Sequence, residues 1–245
     1  MRAFVTGGGR GIGANIARAL ASDGWEVVVG ARSREQVEAV AAEIGGQSVR
    51  VDVADRGSVE RAVAGAGEVD LLVANAGLSD NHERRRSWKI DPVDWWRIYE
   101  VKVLGVHLCC RAVIPGMLER GRGRIAITVS AAAYLPGGEH TAYPPSKAAA
   151  CRYGETLAIE LAGRIPVFLF SPGLVRTEMT EGAFPEDSPW TPPEAAPALV
   201  RKLATGRYDA LAGRYLHAER DDLDDLLARI DEVRERDLNA IRLRR

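Results

Sequence analysis

The sequence predicts a single α/β domain, spanning 1–245, built on a Rossmann-type, doubly wound, mostly parallel seven-stranded sheet with helices on both faces. Three observations support this prediction. Short apolar runs alternate with longer helical patterns along the chain, which is typical of strand–helix–strand units. Most of these runs are continuously apolar, as strands covered on both faces are. The length of 245 residues suits one large domain better than two small ones.

Seven apolar runs are the predicted strands, and turn and helix signals separate them. Ser33 begins a capping box that starts a helix over Arg34–Ile44, and Gly45 ends that helix. Asp91 and Pro92 form a second helix start. In chain order the predicted strands are Ala3–Thr6, Glu26–Gly30, Ser48–Val53, Leu71–Ala74, Arg124–Ser130, Val167–Ser171 and Arg214–His217.

Three further stretches have helical patterns. Long helices are predicted over Asp94–Arg120 and Ala148–Ala162, and the second is rich in small residues. In Asp221–Arg245, apolar residues recur every three to five positions with charges between them. This pattern predicts an amphipathic helix that packs on its own domain or on a partner subunit.

Composition and charge exclude several classes of protein. The formal net charge is −1, whereas a nucleic-acid binder needs a basic excess to neutralise phosphates. The histidines are scattered, and Cys109, Cys110 and Cys151 have neither disulfide nor metal-ligand spacing, so we expect reduced thiols and no metal. No charged leader or long apolar stretch precedes the first strand. We therefore expect a soluble, cytoplasmic protein without membrane contact.

A glycine-rich turn follows the first predicted strand. Three demands explain Gly7, Gly11 and Gly13: a sharp turn into a helix, close approach of the backbone to a pyrophosphate, and tight packing of the helix on the sheet. The N–H groups at the start of that helix then face the phosphates. Because the turn lies at the first strand–helix junction, it predicts a Rossmann-type dinucleotide site.

The residues after the second strand indicate which dinucleotide binds. Ala31 and Arg32 stand where an NAD enzyme usually carries Asp or Glu for the ribose hydroxyls. Arg10, in the glycine turn, is a second guanidinium, and two arginines at one edge of a site suit a 2′-phosphate. The alternative is that both arginines are solvated surface residues. We expect NADP(H).

Further motifs stand in one order along the chain. They are the turn Thr6 to Gly13, Asp52-Val53, Asn75-Ala76-Gly77, Ser130 thirteen residues before Tyr143, the Tyr143-x-x-x-Lys147 pair, and Pro172-Gly173 with Thr177 four residues on. In this order they resemble the short-chain dehydrogenase/reductase family over essentially the whole chain. The resemblance implies a nicotinamide-dependent oxidoreductase, and a homodimer or homotetramer formed through the two long helices.

The motifs and the resemblance together give a candidate NADP(H) site. The resemblance implies that Asp52 contacts the adenine and that the segment after Pro172 holds the nicotinamide carboxamide. The candidate cofactor residues are Thr6, Gly7, Gly9, Arg10, Gly11, Ile12, Gly13, Arg32, Asp52, Val53, Asn75, Ala76, Gly77, Tyr143, Lys147, Pro172, Gly173, Val175 and Thr177.

Tyr143 and Lys147 are candidate catalytic residues on chemical grounds. They are four apart, so on a helix both side chains project from one face. A free phenol titrates near pH 10, and a neighbouring ammonium favours the phenolate that a neutral-pH base requires. In reduction, Tyr143 donates a proton to the carbonyl oxygen while NADPH delivers hydride to its carbon. Ser130 hydrogen-bonds the same oxygen, and the resemblance adds a ribose contact for Lys147.

Lys102 departs from the pattern of the family, which often has asparagine here in an Asn-x-x-Gly-Val sequence. Lysine has three donors and no acceptor, so it cannot reproduce the contacts of an amide. Three interpretations remain open. Lys102 replaces the asparagine as a proton-relay or electrostatic element beside Lys147, or the site tolerates the loss with slower turnover, or the protein is a weakened or repurposed member.

Two loops, at about 78–96 and 174–197, are expected to form the substrate wall, because open α/β sheets bind ligands at the carboxyl ends of their strands. The first carries Arg84, Arg85 and Arg86, which suit an anionic substrate, a substrate bound to a carrier protein, or simply a solvated basic loop. The expected function is hydride transfer between NADP(H) and a small carbonyl or secondary-alcohol substrate. Alternatives are a specialised biosynthetic step, such as epimerisation or dehydration, and a non-catalytic NADP binder, which only Lys102 supports.

Overall fold

The computed structural model describes residues 1–78, 86–137 and 141–242. Within them, seven strands form one sheet in the order β3-β2-β1-β4-β5-β6-β7, and every pairing is parallel. The predicted doubly wound fold is therefore confirmed. The strands are β1 Arg2–Thr6, β2 Glu26–Ala31, β3 Gln47–Arg50, β4 Leu71–Ala74, β5 Arg124–Thr128, β6 Val167–Ser171 and β7 Tyr215–His217.

Helices cover both faces of the sheet. Neighbouring residues of β1 show this, because Phe4 belongs to one apolar core and Val5 to the other. The helices are α1 Gly11–Ser22, α2 Arg34–Ile44, α3 Arg56–Ala66, α4 Pro92–Tyr99, α5 Gly105–Arg120, α6 Tyr143–Glu160, α7 Ala195–Ala204, α8 Leu223–Ala228 and α9 Ile230–Glu235, with a π-helical turn at Glu100–Leu104 between α4 and α5.

The predicted helix signals act as caps. The Ser33 hydroxyl accepts a hydrogen bond from the Gln36 backbone N–H at the start of α2, and Gly45 ends that helix in the left-handed conformation. The Asp91 carboxylate accepts from the Val93 N–H at 2.8 Å, one residue after Pro92 begins α4. Both predicted helix starts are confirmed.

The predicted C-terminal helix over Asp221–Arg245 is wrong as a single helix. The chain forms the two short helices α8 and α9, and between Glu235 and the last described residue, 242, no further helix follows. Asp237 and Asn239 have φ of 52° and 54°, which a continuing helix forbids. Arg214 donates to Asp237, and Asn239 exchanges hydrogen bonds with the Tyr215 backbone, so this segment attaches to the edge strand β7. Periodicity alone could not reveal these long-range bonds.

Other element boundaries shift for local reasons. The predicted strand Ser48–Val53 is shorter as β3, although Val51 and Val53 stay buried beyond its end. The predicted helix Ala148–Ala162 begins five residues earlier at Tyr143, because prolines fit the first turn of a helix. Predicted helix Asp94–Arg120 is interrupted by the π-helical turn.

Among the described residues, one helical run, Pro92–Arg120, is long and apolar enough to cross a membrane, with a mean hydropathy of 1.5. Half of that window is buried inside the protein. Within this run, α5 packs on α3 and β4. Core helices of soluble domains have the same length and composition, so this run is weak evidence for a membrane span.

Candidate active site

A cleft of about 590 Å³ opens at the carboxyl ends of the strands, beside the point between β1 and β4 where the strand order reverses. Ligands bind at such points in open α/β sheets. Every candidate residue from the sequence lines this cleft except Thr6. Ala31, at the predicted coenzyme-selecting position, also lines the cleft, and the two predicted substrate loops contribute Leu78, Glu178, Met179 and Thr180. The lining residues that sequence reasoning missed are Ser33, Gln36, Val51, Val101, Thr128 and Val129.

The glycines of the turn leave their backbone uncovered by side chains of their own and so form a cradle. Gly7 and Gly11 have φ of +65° and +55°, which favour glycine. A Cβ on Gly13 would lie 2.2 Å from the Gly7 carbonyl oxygen, so only glycine allows α1 to approach the turn this closely. No side chain caps the start of α1. The cradle therefore presents backbone N–H groups and fits the pyrophosphate of a dinucleotide.

Thr6 lies beneath the cleft and orders its neighbours. Its hydroxyl oxygen accepts hydrogen bonds from the backbone N–H groups of Asn75 at 3.0 Å and Ala76 at 3.2 Å. The Asn75 side chain in turn donates to the Thr6 carbonyl and accepts from the Thr128 hydroxyl. Thr6 thus positions the Asn75-Ala76-Gly77 segment rather than facing the cleft itself.

The first turn of α6 presents the Tyr143 and Lys147 pair to the cleft. The buried Lys147 ammonium donates to the Thr128 carbonyl oxygen at 2.7 Å. Burial lowers the pKa of Lys147 from 10.5 to about 8, because the low-dielectric interior disfavours the charged form. Ser130 also lines the cleft, and its hydroxyl oxygen accepts from the Ala132 N–H, so the hydroxyl proton stays available for a donor bond. The three predicted catalytic groups therefore face one cleft.

Lys102 lies on the π-helical turn and is buried, with only 3% of its surface exposed. Its Nζ is 4.4 Å from the centroid of the Tyr143 ring, which is a cation–π contact. A Cβ on Gly77 would come within 3.0 Å of the same Nζ, so this glycine leaves room for the ammonium. π-Helical turns often occur at functional sites. The structure thus brings Lys102 into contact with the candidate acid/base.

Two ion pairs border the cleft, and the sequence predicted neither of them. Arg10 pairs with Glu178, which joins the glycine turn to the segment after β6. Asp52 accepts a bond of 3.1 Å from Arg97 on α4. Arg32 lines the cleft directly after β2. Both pairs join residues far apart in sequence, so no local spacing could have identified them.

The segment after β6 lines the part of the cleft where the sequence predicts the nicotinamide. Gly173 has φ +80°, and a Cβ there would overlap the Thr191 side chain, which packs against it. The Thr180 hydroxyl accepts from the Thr177 N–H at 2.9 Å and donates to the Val175 carbonyl at 2.8 Å. These contacts hold the predicted segment in a defined conformation over the cleft.

The predicted substrate loops are only partly described. Arg84 and Arg85 lie outside the described residues, and the Arg86 guanidinium lies 6.0 Å from the centroid of the Trp88 ring. In the other loop, Met179 lines the cleft, whereas Phe184 packs edge-on against Trp190. Of the three large apolar side chains Met179, Phe184 and Trp190 in this loop, Met179 therefore lines the cleft.

The three cysteines are free and buried. Burial raises the pKa of Cys109 and of Cys151 to about 12, so these thiols stay protonated at neutral pH. Within residues 1–78, 86–137 and 141–242, His, Cys, Asp and Glu form no group of three that could hold a metal ion.

Comparison with known proteins agrees with this geometry. The family described as short chain dehydrogenase matches residues 1–188. A 3-oxoacyl-acyl-carrier-protein reductase of Synechocystis is 34% identical over 221 residues, which cover 83% of this chain and 88% of that protein.

Solved structures give the same fold with different cofactors. A gluconate 5-dehydrogenase from Burkholderia cenocepacia, in complex with NADP and tartrate, superposes with a TM-score of 0.81 at 27% identity and covers 88% of this chain and 92% of its own. A 3-ketoacyl-(acyl-carrier-protein) reductase from Brucella melitensis, complexed with NADH, has a TM-score of 0.83 at 28% identity over 88% and 95% of the two chains.

Proposed function

The chain belongs to the short-chain dehydrogenase family of oxidoreductases, and from that premise we propose that it transfers hydride between NADP(H) and a carbonyl or secondary-alcohol substrate. One observation carries the proposal. The phenol of Tyr143 and the ammonium of Lys147 begin a helix at the same cleft that holds the glycine cradle. A proton donor and a dinucleotide site therefore share one cavity.

The residues of this chain handle the proton and the substrate oxygen. When bound, NADPH supplies the hydride. Tyr143 donates its phenolic proton to the substrate oxygen as negative charge develops there, and it takes the proton back in the oxidation direction. The Ser130 hydroxyl donates a hydrogen bond to the same oxygen and stabilises the alkoxide character of the transition state.

The two lysines act on Tyr143 from different elements. Lys147 shares the α6 face of Tyr143, whereas Lys102 reaches the ring from the π-helical turn. Positive charge next to the phenol stabilises the phenolate, which is the form left after proton donation. Of the three interpretations of Lys102, this contact favours an electrostatic element.

The preference for NADP(H) rests on charge at the end of β2. The cleft there is lined by Ala31 and Arg32, with no carboxylate at these two positions to repel a 2′-phosphate. Arg10 can contact a 2′-phosphate only after its ion pair with Glu178 breaks. We therefore assign the main phosphate contact to Arg32.

The proposal is tested by following NADPH absorbance with a panel of ketones, aldehydes and quinones, and by measuring the Kd of NADPH and NADH directly. We expect NADPH oxidation with at least one carbonyl compound, and tighter binding of NADPH than of NADH. Binding without turnover on the whole panel would support a specialised step or a non-catalytic binder. Absence of binding to either coenzyme overturns the proposal.

A further inference from the structure

Arg97, near the end of α4, connects two carboxylates at the far end of the cleft. Its Nη2 donates to Asp52 Oδ2 at 3.1 Å, and its Nη1 donates to Glu100 Oε2 at 3.1 Å. The other oxygen of Asp52, Oδ1, accepts from the Ala54 N–H at 3.0 Å. Both carboxylate oxygens of Asp52 are therefore held, one by the local backbone and one by Arg97.

Asp52 lies in an apolar part of the cleft. Val51 and Val53, on either side of it, are buried and line the same cavity. The run of helix that carries Arg97 also supports this wall, because a Cβ on Gly105 would lie 2.8 Å from the Val53 side chain. A flat apolar surface beside a fixed carboxylate suits a heteroaromatic ring with an exocyclic amine, as adenine has.

Arg97 itself does not line the cleft. Its guanidinium is 37% exposed, and Asp52 is 34% exposed, so the pair is partly screened by solvent. Its effect on a bound ligand therefore passes through the orientation of Asp52. Glu100 holds the other terminal nitrogen of the guanidinium, Nη1, which lowers the entropy cost of keeping Arg97 in one position.

We infer that Arg97 is a positioning residue for the adenine end of the dinucleotide, acting by orienting the Asp52 carboxylate. This inference rests on the proposed function, since it requires a nicotinamide dinucleotide in the cleft. It concerns one half of that ligand only. Ligands with the adenine group depend on Arg97, and ligands without it do not.

The test uses the two halves of the coenzyme with the Arg97→Gln variant of the full chain. Calorimetry gives the Kd of NADPH and of adenosine 2′,5′-bisphosphate, and we expect both to rise about three- to fivefold, the range of a partly exposed ion pair. The loss should appear in KM for NADPH rather than in kcat. With reduced nicotinamide mononucleotide, which has no adenosine, kcat/KM should change less than twofold.

Three companion experiments separate positioning from a general structural effect. Arg111→Gln breaks a comparable ion pair with Glu60, outside the cleft, and should leave every Kd unchanged. Arg97→Lys keeps the charge and should recover part of the affinity. In an Asp52→Asn background, Arg97→Gln should add almost nothing, because its effect passes through that carboxylate.

Each result decides between separate claims. If the native protein binds no coenzyme, the proposed function fails. If it binds NADPH but Arg97→Gln binds adenosine 2′,5′-bisphosphate as tightly as the native protein, the inference fails and the function stands. The inference also fails if Arg97→Gln weakens the use of reduced nicotinamide mononucleotide as much as the binding of adenosine 2′,5′-bisphosphate. It fails as well if Arg97→Gln raises the Kd of NADPH by the same factor in the Asp52→Asn background as in the native protein.

Discussion

The two ends of the cleft are built in different ways. At the end proposed to be catalytic, Lys102 and Lys147 are buried, and Tyr143 and Lys147 share one helical turn. At the end proposed to hold adenine, Asp52 and Arg97 are joined by a partly exposed ion pair between residues 45 positions apart. Burial strengthens electrostatic effects and solvent weakens them. The catalytic end should therefore respond strongly to single substitutions and the adenine end weakly.

Replacing the proton donor should give the largest effect. In Tyr143→Phe the ring and its packing are kept but the hydroxyl is lost, and we expect kcat/KM for carbonyl reduction to fall by about 10³-fold. The Kd of NADPH should change little by comparison, which calorimetry can verify. Turnover close to the native rate in this variant would disprove the proposed acid/base.

Lys147→Met should lower kcat by about 100-fold, and it also tests the burial of the ammonium. The folded protein holds the pKa of Lys147 at about 8 instead of 10.5, so the unfolded chain binds more protons between these values. The free energy of unfolding of the native protein should therefore rise between pH 8 and 10.5, by up to about 3 kcal/mol from this group.

The difference between native protein and Lys147→Met isolates this contribution from other groups that titrate at high pH. Urea unfolding at pH 7.5 and pH 10 provides the measurement. If the free energy of unfolding changed by the same amount between pH 7.5 and pH 10 in the native protein and in Lys147→Met, Lys147 would not be buried as an ammonium.

Lys102→Asn restores the residue that the family often carries and removes the charge beside the Tyr143 ring. We expect kcat for alcohol oxidation to fall by about tenfold at pH 7, because the phenolate loses one stabilising cation. The pH at which oxidation is half-maximal should move upward. A profile identical to that of the native protein would eliminate the electrostatic role.

Arg32→Ala should have the smallest effect of the four, and only on one coenzyme. We expect the Kd of NADPH to rise about five- to tenfold, since an exposed arginine–phosphate pair is lost, while the Kd of NADH stays the same. Arg34→Ala, which removes an exposed arginine paired with Glu38 on α2, is the matched control. Equal changes for both coenzymes would contradict a 2′-phosphate contact.

Sequence reasoning recovered the parts of this molecule that depend on local order. Strand β4 and helix α2 have the predicted bounds, and the glycine turn needs Gly13 for a contact with Gly7 only six residues away. The shared helix face of Tyr143 and Lys147 was also predictable, because residues four apart lie one helical turn from each other.

Features that depend on tertiary contacts could not be predicted. The C-terminal segment leaves its helical pattern because Asn239 bonds the backbone of Tyr215, which is 24 residues away. Arg97 meets Asp52 only because the fold brings the end of α4 next to the segment that follows β3. No sequence pattern indicated the π-helical turn, apart from the unusual Lys102 within it.

The close approach of Gly77 and Lys102 links two positions that lie on separate elements. An alanine at 77 would place its methyl carbon 3.0 Å from Nζ, which is tighter than an ordinary contact, so the ammonium would have to shift by a few tenths of an ångström. A shorter residue at 102 would relieve this crowding. Substitutions at these two positions should therefore not act independently, and the cost of Gly77→Ala should depend on which residue stands at 102.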